Sequence, residues 1–326
     1  MPANLTPEYE RAEQRYREAT DDEERMATLQ AMLSTVPKHK GTEKLQADIK
    51  RRLSQLRREQ QRTVHTKGPD PFHIPRSGAG QVVLIGPPNT GKSSLLAAAT
   101  NAEARVADYP FTTVVPQPGM WAMDDVQIEL VDTPPFTAEH VPAGLMGTIH
   151  NADVVCVVAE AGDAALDQVE MALGVLRARG LTLRSAPRNE LAAAGAGLRP
   201  GLIVANKAEL AVAGTLEMLR ELYGGNLDTF AVSARTRRGL DDMFRRLWAL
   251  LAMIRVYPKE PGKPPDRHKP FLLPAGATVA DLARLIHRDL PETMKFARLW
   301  GHGRFEGQPV HRTEVLRDGD VVEIHE

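Results

Sequence analysis

The segment that most constrains the fold of this chain is GPPNTGKS, at residues 86–93. It matches the pattern GxxxxGK[ST], and it lies between the apolar run QVVLI and a helical pattern that begins near Ser94. Glycines in such a loop let backbone N–H groups surround phosphates, and the N-terminus of the following helix adds positive potential. The chain is therefore predicted to place a strand, a phosphate loop and a helix in succession.

The residue types in this loop predict the role of each position. Lys92 is expected to reach the β- and γ-phosphates of a nucleotide, and the Ser93 hydroxyl is expected to bind Mg²⁺. Further contacts with the nucleotide are expected from Gly86, Asn89, Thr90, Gly91 and Ser94.

Two later segments predict side chains that act together with the phosphate loop. Asp132 ends a predicted strand, LVD, where a carboxylate that holds Mg²⁺ through water is expected. Thr113, in YPFTT, offers a hydroxyl to a loop that senses the γ-phosphate. The candidate catalytic residues are therefore Lys92, Thr113 and Asp132. The candidate metal ligands are Ser93, Thr113 and Asp132.

Residues expected near the nucleotide base follow two more predicted strands. The strand GLIVA runs into NKAE, which places Asn206, Lys207 and Glu209 directly after it. A later strand ends in Ser233 and Ala234, a weak signal by itself. Taken together with the preceding motifs, these are the five nucleotide-binding elements of a GTPase in the expected order.

The same part of the chain alternates short apolar runs with helical patterns. The runs VQIELV, DVVCVVA, GLIVA and DTFAV favour a mostly parallel sheet covered by helices on both faces. Met120–Val131, interrupted by Asp124 and Asp125, predicts a hairpin. The segment Ala192–Gly197 is predicted to be a loop, and Cys156 is predicted to be a buried structural thiol.

Two proline-rich segments divide the chain into three predicted domains. The last domain is expected to have one helix on a small mixed sheet, with Thr278 and Asp281 as its capping box. The predicted boundaries are a helical arm at 1–65, a linker at 66–80, a nucleotide-binding domain at 81–256, a linker at 257–270 and a small domain at 271–326.

The arm has the pattern of paired helices, and its second half is strongly basic. Residues 38–67 hold 10 Lys and Arg against 3 Asp and Glu, although the whole chain has a net charge of −1. Charged helix faces are usually only solvated, but this excess of positive charge favours contact with RNA or the ribosome. The candidate RNA contacts are Lys50, Arg51, Arg52, Arg57 and Arg58.

Composition narrows the class of protein further. With 326 residues, 42% of them hydrophobic and 25% charged, the chain is expected to fold into globular domains. A single cysteine excludes an internal disulfide, and no apolar run approaches the roughly 20 residues that span a bilayer. We therefore expect a cytoplasmic protein without a membrane or DNA partner. Its oligomeric state is left open.

Three segments carry a resemblance to a known family. GPPNTGKSSLLAAAT, followed by DYPFTTVVPQPGM, resembles the Obg-like translation-factor GTPases. Residues 36–57 look like the N-terminal helical region of the developmentally regulated GTP-binding (DRG) branch. Residues 255–290 and FARLWG look like its C-terminal TGS domain. The resemblance implies an α/β protein: a Ras-like P-loop GTPase domain of the Obg type, a helical arm and a β-grasp TGS domain.

The resemblance also implies ligands and partners. GTP or GDP with Mg²⁺ is expected at the phosphate loop, with Thr113 as the sensor of the first switch. Ribosome or RNA is the expected partner. Asn89 occupies the position that binds K⁺ in K⁺-stimulated relatives, so stimulation by K⁺ is expected as well.

The second switch departs from the family pattern. The family sequence DxPG is DTPP here, so Pro135 replaces a glycine whose N–H normally binds the γ-phosphate. The next residue is Phe136, where small GTPases keep a catalytic glutamine. These substitutions predict slow hydrolysis, or, in a second reading, a nucleotide-binding scaffold associated with RNA that barely hydrolyses.

Two further departures concern the base and the domain count. NKxD is NKAE here, and YchF-like relatives, which resemble ATP binders, also carry glutamate in this motif. They usually lack the lysine found here as Lys207. GTP is favoured, because a carboxylate that accepts from guanine N1 and N2 is still present in Glu209. The spacing between Asp132 and Asn206 leaves no room for the domain that DRG proteins insert there.

Overall fold

A computed structural model describes residues 7–18, 22–36, 42, 45–54, 70–100, 115–195, 197–301 and 305–325. The chain divides into two compact units, Met1–Asp70 and Pro71–Glu326. Among the described helices, none is both long enough and apolar enough to cross a membrane.

The described part of the first unit has three helices. They are α1 (Pro7–Glu18), α2 (Asp22–Thr35) and α3 at residues 45–54. Ile49 and Leu53 on α3 are buried against Tyr9 of α1 and Leu29 of α2. The apolar face predicted for α3 is thus present. It packs against both α1 and α2, so the described part of the arm has three helices and not the predicted pair.

A seven-stranded sheet forms the first half of the second unit. Its strands are β1 (Gln81–Ile85), β2 (Gln117–Met123), β3 (Val126–Asp132), β4 (Val154–Glu160), β5 (Thr182–Arg184), β6 (Leu198–Asn206) and β7 (Thr229–Ala231). The order is β2-β3-β1-β4-β6-β5, with β7 also paired to β6, and only β2 runs antiparallel. The predicted hairpin and parallel sheet are therefore confirmed.

Helices cover both faces of this sheet. They are α4 (Lys92–Ala99), α5 (Leu145–Asn151), α6 (Ala165–Arg177), α7 (Arg188–Ala194), α8 (Thr215–Tyr223) and α9 (Leu240–Leu251). Residues 154–159 of β4 are all fully buried, as expected for a strand that packs against helices on both sides. Burial also raises the pKa of the Cys156 thiol, which lies in this strand.

The prediction of a loop at Ala192–Gly197 is partly wrong, because α7 continues to Ala194. Leu191, which is buried in the core, anchors this helix. The alanines that follow Leu191 carry too little apolar surface to show a helical period in the sequence.

A five-stranded mixed sheet forms the second half of this unit. Its order is β11-β10-β12-β8-β9, with α10 (Val279–Ile286) and α11 (Leu290–Thr293) packed against it. The strands are β8 (Met253–Pro258), β9 (Phe271–Pro274), β10 (Phe296–Trp300), β11 (Gln308–Val310) and β12 (Asp320–His325). The predicted capping box at the start of α10 is present, since Thr278 and Asp281 bond each other's backbone N–H.

The predicted end of the nucleotide-binding domain at residue 256 needs correction. Strand β8 pairs with β12 and β9, so Met253–Pro258 belongs to the second sheet, and only 259–270 remains as a connection. Ile254 and Val256 point into the core of that sheet. The sequence concealed this boundary because the apolar run of α9 continues directly into β8.

Candidate nucleotide-binding site

The phosphate loop lies at the carboxyl end of β1, between that strand and α4. Two of its glycines are required by their surroundings. A Cβ on Gly86 would lie 2.3 Å from the carbonyl oxygen of Val158, and a Cβ on Gly91, where φ is 82°, would lie 2.4 Å from Asn206 Nδ2. The loop is therefore packed tightly against the neighbouring strands β4 and β6.

Lys92 is folded back along this loop. Its side chain is buried, and Nζ donates to the carbonyl oxygens of Gly86 at 3.0 Å and Pro87 at 2.9 Å. Burial lowers the pKa of Lys92 to about 8, and the Asp132 carboxylate offsets part of that shift. An anionic phosphate beside this ammonium would stabilise its charged form.

Ser93 and Asp132 converge next to Lys92. The hydroxyl of Ser93 donates to Asp132 Oδ2 at 2.5 Å, and the Asp132 carboxylate is buried at the end of β3. A hydroxyl and a carboxylate are hard oxygen ligands of the kind that Mg²⁺ uses together with substrate phosphates. These two predicted metal ligands thus fit Mg²⁺, whereas Thr113 lies outside the described residues.

The Asn206 side chain links two loops at the centre of the site by hydrogen bonds. Its Nδ2 donates to the carbonyl oxygens of Thr90 at 3.0 Å and Gly91 at 3.3 Å, and its Oδ1 accepts from the N–H of Ala234 at 3.2 Å. The side chain therefore joins the phosphate loop to the Ser233–Ala234 loop, and it fixes the position of these two predicted binding segments relative to each other.

The residues predicted to contact the nucleotide base lie beside Asn206. Ser233 is buried, and its hydroxyl donates to Glu209, which holds the pKa of that carboxyl below its usual value. Lys207 has a left-handed backbone, with φ at 61°, and its Nζ donates to Glu160 Oε2 at 2.9 Å. The sequence reasoning missed Glu160, although a charged residue that ends an apolar strand at this edge was an available signal.

The remaining predicted loop residues differ in exposure. Thr90 is fully buried and its hydroxyl bonds the Pro87 carbonyl oxygen at 3.2 Å, so its side chain is directed within the loop. Asn89 is exposed with a left-handed backbone, and Ser94 is half-buried in the first turn of α4.

The second switch begins with a segment that is packed away from solvent. Pro134 and Pro135 are buried, and Phe136 is 1% exposed within the core that contains Leu145 and Ile149. The Thr133 hydroxyl donates to the Leu84 carbonyl oxygen at 2.7 Å, which fixes this segment to β1. A phenylalanine in the core offers no polar group to a water molecule.

The candidate RNA contacts lie in the first unit. Lys50 is exposed, while Arg51 and Arg52 both pair with Asp48, at 2.7 Å and 2.9 Å. Arg57 and Arg58 lie outside the described residues. One carboxylate therefore offsets part of the positive charge that the sequence places on α3.

Comparison with known families follows the domain division seen in the structure. Residues 81–183 match the family described as 50S ribosome-binding GTPase, and residues 254–326 match the TGS domain. The second match begins one residue after β8 does, in agreement with the corrected boundary. The chain thus contains a P-loop GTPase domain followed by a C-terminal TGS domain.

Relatives over almost the whole chain narrow this class. An uncharacterized GTP-binding protein of Halobacterium salinarum is 28% identical, with 93% of this chain and 98% of the relative covered. Developmentally-regulated GTP-binding protein 1 of Xenopus laevis is 25% identical, with 92% and 98% covered. A Dictyostelium discoideum protein named as a homolog of developmentally-regulated GTP-binding protein 2 is also 25% identical. Over almost its whole length the chain is thus similar to GTP-binding proteins of the DRG type.

Two observations concern the domain that DRG proteins insert between the motifs of Asp132 and Asn206, and which the spacing predicts to be absent here. The aligned length of 365 residues for the Halobacterium relative exceeds the 326 residues of this chain, so that relative contains residues with no counterpart here. The residues described between Asp132 and Asn206, all but position 196, form elements of the nucleotide-binding domain. Among solved structures, the FeoB G-domain of Methanococcus jannaschii is 15% identical with a TM-score of 0.38, covering 53% of this chain and 97% of that one.

Proposed function

We propose that this chain hydrolyses GTP slowly and couples its nucleotide state to contact with RNA or the ribosome, in the cytoplasm. The observation that carries the enzymatic part is the convergence of Lys92, Ser93 and Asp132 at the carboxyl edge of the sheet. A buried ammonium, a hydroxyl and a carboxylate within one loop and one strand end are what a nucleoside triphosphate and its metal require.

Each of these groups has a distinct role in the proposed reaction. Lys92 neutralises charge on the β- and γ-phosphates, and backbone N–H groups of the loop orient them. Mg²⁺, when held through Ser93 and Asp132, would neutralise charge on the phosphate oxygens. Thr113 is proposed to sense the γ-phosphate.

Slow hydrolysis is proposed because the second switch supplies little help to the attacking water. Pro135 has no N–H for the γ-phosphate, and the Phe136 side chain is in the core. Single-turnover hydrolysis of GTP by the wild type and by Pro135→Gly tests this part. We expect a faster reaction and a larger ratio of GTP to GDP affinity for the variant; equal values in both proteins would contradict the role of Pro135.

Guanine is proposed as the base because Glu209 offers a carboxylate beside the base-binding strand end. Ser233 lowers the pKa of that carboxyl, which keeps it ionised as an acceptor for guanine N1 and N2. Competition of labelled GTP by unlabelled ATP tests the choice. We expect ATP to displace GTP only at much higher concentration, and equal displacement would favour the ATP-binding alternative.

A scaffold with negligible hydrolysis is the second candidate, favoured by the same Pro135 and Phe136 placement. Hydrolysis measured with and without ribosomes separates the two functions. Stimulation by ribosomes supports the enzyme, whereas a background rate in both conditions supports the scaffold. Rates in KCl and NaCl test the proposed K⁺ stimulation at Asn89, for which equal rates would be contrary evidence.

Ribosome contact is proposed from the family description, 50S ribosome-binding GTPase, and from the basic residues of α3. Co-sedimentation with ribosomes in GTP and in GDP, comparing the wild type with Lys92→Ala, tests it directly. We expect binding that depends on the nucleotide and that Lys92→Ala abolishes. Equal sedimentation in all conditions would contradict coupling to the nucleotide state.

A further inference from the structure

The amino-terminal edge of the seven-stranded sheet holds a cleft of about 470 Å³ that the nucleotide site does not use. Arg76 enters it from the segment before β1, Arg188 from the start of α7, and Arg199 from β6. Since β4 has seven residues at about 3.3 Å each, this cleft lies on the order of 20 Å from the phosphate loop.

A buried carboxylate organises two of these arginines. Asp153 is 3% exposed, and its Oδ1 pairs with Arg188 at 2.7 Å and with Arg76 at 3.4 Å. Its Oδ2 accepts from the N–H of Gln81 at 2.9 Å, which fixes the carboxylate between the first residues of β1 and β4. The guanidinium groups are thus held in place by a rigid part of the sheet.

The positive charge in the cleft exceeds what Asp153 balances. Among the described lining residues, Asp153 is the only acidic one and three are arginines, which leaves an excess of two positive charges. Arg199 donates to the carbonyl oxygen of Leu198 at 3.0 Å and takes no part in the pairs of Asp153. The Arg76 and Arg188 side chains remain 52% and 47% exposed, so donors on both face solvent.

The shape and lining of the cleft indicate the class of ligand. Guanidinium groups present planar pairs of N–H donors that match phosphate oxygens. The remaining wall is mixed: it combines His150 with the apolar Leu191, Leu198 and Pro200, which suits a sugar or base attached to a phosphate. A simple inorganic anion would leave this wall unused.

We propose that the cleft formed by Arg76, Arg188 and Arg199 is a second phosphate-binding site, for the phosphate of a nucleoside monoester or of an RNA backbone. Its ligand is separate from the nucleotide at the phosphate loop. The basic residues of α3 are not needed for it. Binding at this cleft does not depend on GTP hydrolysis, so either proposal can be wrong without the other.

The test uses the full chain saturated with GDP and Mg²⁺, so that probes do not compete for the phosphate loop. One probe is uridine 5′-monophosphate, a phosphate monoester, and the other is a single-stranded oligouridylate without a terminal phosphate, a phosphodiester. The readout is the rate at which phenylglyoxal modifies each arginine, measured by mass spectrometry of peptides. This readout reports on the cleft alone, even where the probe also binds elsewhere.

We expect an effective probe, at ten times its Kd, to slow modification of Arg76, Arg188 and Arg199 by about tenfold. Arg245, an exposed arginine on α9 that pairs with Asp242 at 2.8 Å, is the matched control and should not be protected. Protection by uridine 5′-monophosphate alone identifies a monoester site, and protection by the oligonucleotide, with or without protection by the monophosphate, identifies the RNA backbone. No protection, or equal protection of Arg245, overturns the proposal.

A variant provides the second arm of the test. Arg199→Gln leaves the pairs of Asp153 intact, so GDP affinity should match the wild type and confirm folding. We expect the concentration of probe that half-protects Arg76 to rise about tenfold, as expected for loss of one charged donor, while Arg245→Gln changes it by less than about twofold. Equal values for the two variants overturn the proposal.

Discussion

The two edges of the seven-stranded sheet both carry buried charge, but they arrange it in opposite ways. At the carboxyl edge, a cation is buried and backbone oxygens surround it: Lys92 bonds the carbonyls of Gly86 and Pro87. At the amino edge, an anion is buried and its cations lie outside: Asp153 holds Arg76 and Arg188, which reach solvent.

The difference shows how each edge is prepared for its ligand. The ammonium at the carboxyl edge is buried, and burial lowers its pKa more than the Asp132 carboxylate raises it. The carboxylate at the amino edge is already paired, so its removal leaves arginines without their anchor. Nucleotide binding should therefore depend strongly on Lys92, while folding should depend strongly on Asp153.

The largest effect is expected from Asp153→Ala. The change leaves the buried Gln81 N–H without its acceptor and two half-exposed arginines without their partner, and we expect the free energy of unfolding to fall by about 3 kcal/mol. Urea denaturation measures it, with Asp242→Ala as the control, because that exposed pair should contribute about 0–1 kcal/mol. If both variants lose the same amount, the amino edge is not organised by Asp153.

A smaller effect, on binding rather than folding, is expected from Lys92→Ala. Each charge-assisted hydrogen bond to phosphate contributes about 1.5–3 kcal/mol, so GDP affinity should fall roughly a hundredfold. Lys263→Ala removes an exposed lysine from the second half of the unit and should leave GDP affinity unchanged. Titration with a fluorescent GDP analogue measures both. If Lys92→Ala binds GDP as tightly as the wild type does, the buried ammonium at the carboxyl edge does not contribute to phosphate binding.

The pH dependence of GDP binding is expected to show the buried ammonium directly. Below pH 8, Lys92 is protonated before binding, so affinity should be flat. Above pH 8, binding must take up a proton because the phosphates favour the charged form, so affinity should fall about tenfold by pH 9. The same titration on Lys92→Ala should lack this fall; if both proteins show it, another group is responsible.

The smallest effect is expected at Asp125, which lies just before β3 at the amino edge. Its carboxylate accepts from Tyr257, and from Arg255 at 3.1 Å, which joins the nucleotide-binding domain to the first strand of the TGS domain. Asp125→Asn should lower the free energy of unfolding by about 1 kcal/mol, as measured in urea. Asp124→Asn, at the neighbouring turn residue, is the control. Equal losses would mean that these contacts do not join the domains.

The pH dependence of this contact has a definite sign. Burial raises the pKa of Asp125, but hydrogen bonds from Tyr257 and Arg255 outweigh it and hold the pKa below its usual value. The stabilisation should be present above the unfolded pKa of about 3.9 and lost as pH falls through the lower folded value. The difference between wild type and Asp125→Asn should therefore shrink in acid.

The carboxyl edge could be predicted closely from the sequence. Loop residues that bind phosphates follow a fixed spacing, since one strand, one turn and one helix supply them all. The placement of Asp132 and Asn206 followed because parallel strands bring their carboxyl ends together. Glu160 was missed because nothing local distinguishes it from any charged residue that ends a strand.

The amino edge could not be predicted. Arg76, Asp153, Arg188 and Arg199 are scattered over more than a hundred positions, and each is ordinary in its own segment. The boundary at β8 was missed for a related reason, since an apolar run fits the end of a helix and the start of a strand equally well.

The sequence by itself determined the phosphate loop, the alternation of strands and helices, and the presence of a small third domain. Each of these depends on local spacing, hydrophobic period and turn chemistry. The tertiary structure alone decided that Lys92 is buried, that Phe136 lies in the core, and that three distant arginines share one cleft. Burial and charge clustering depend on which elements pack together, and no local pattern encodes that.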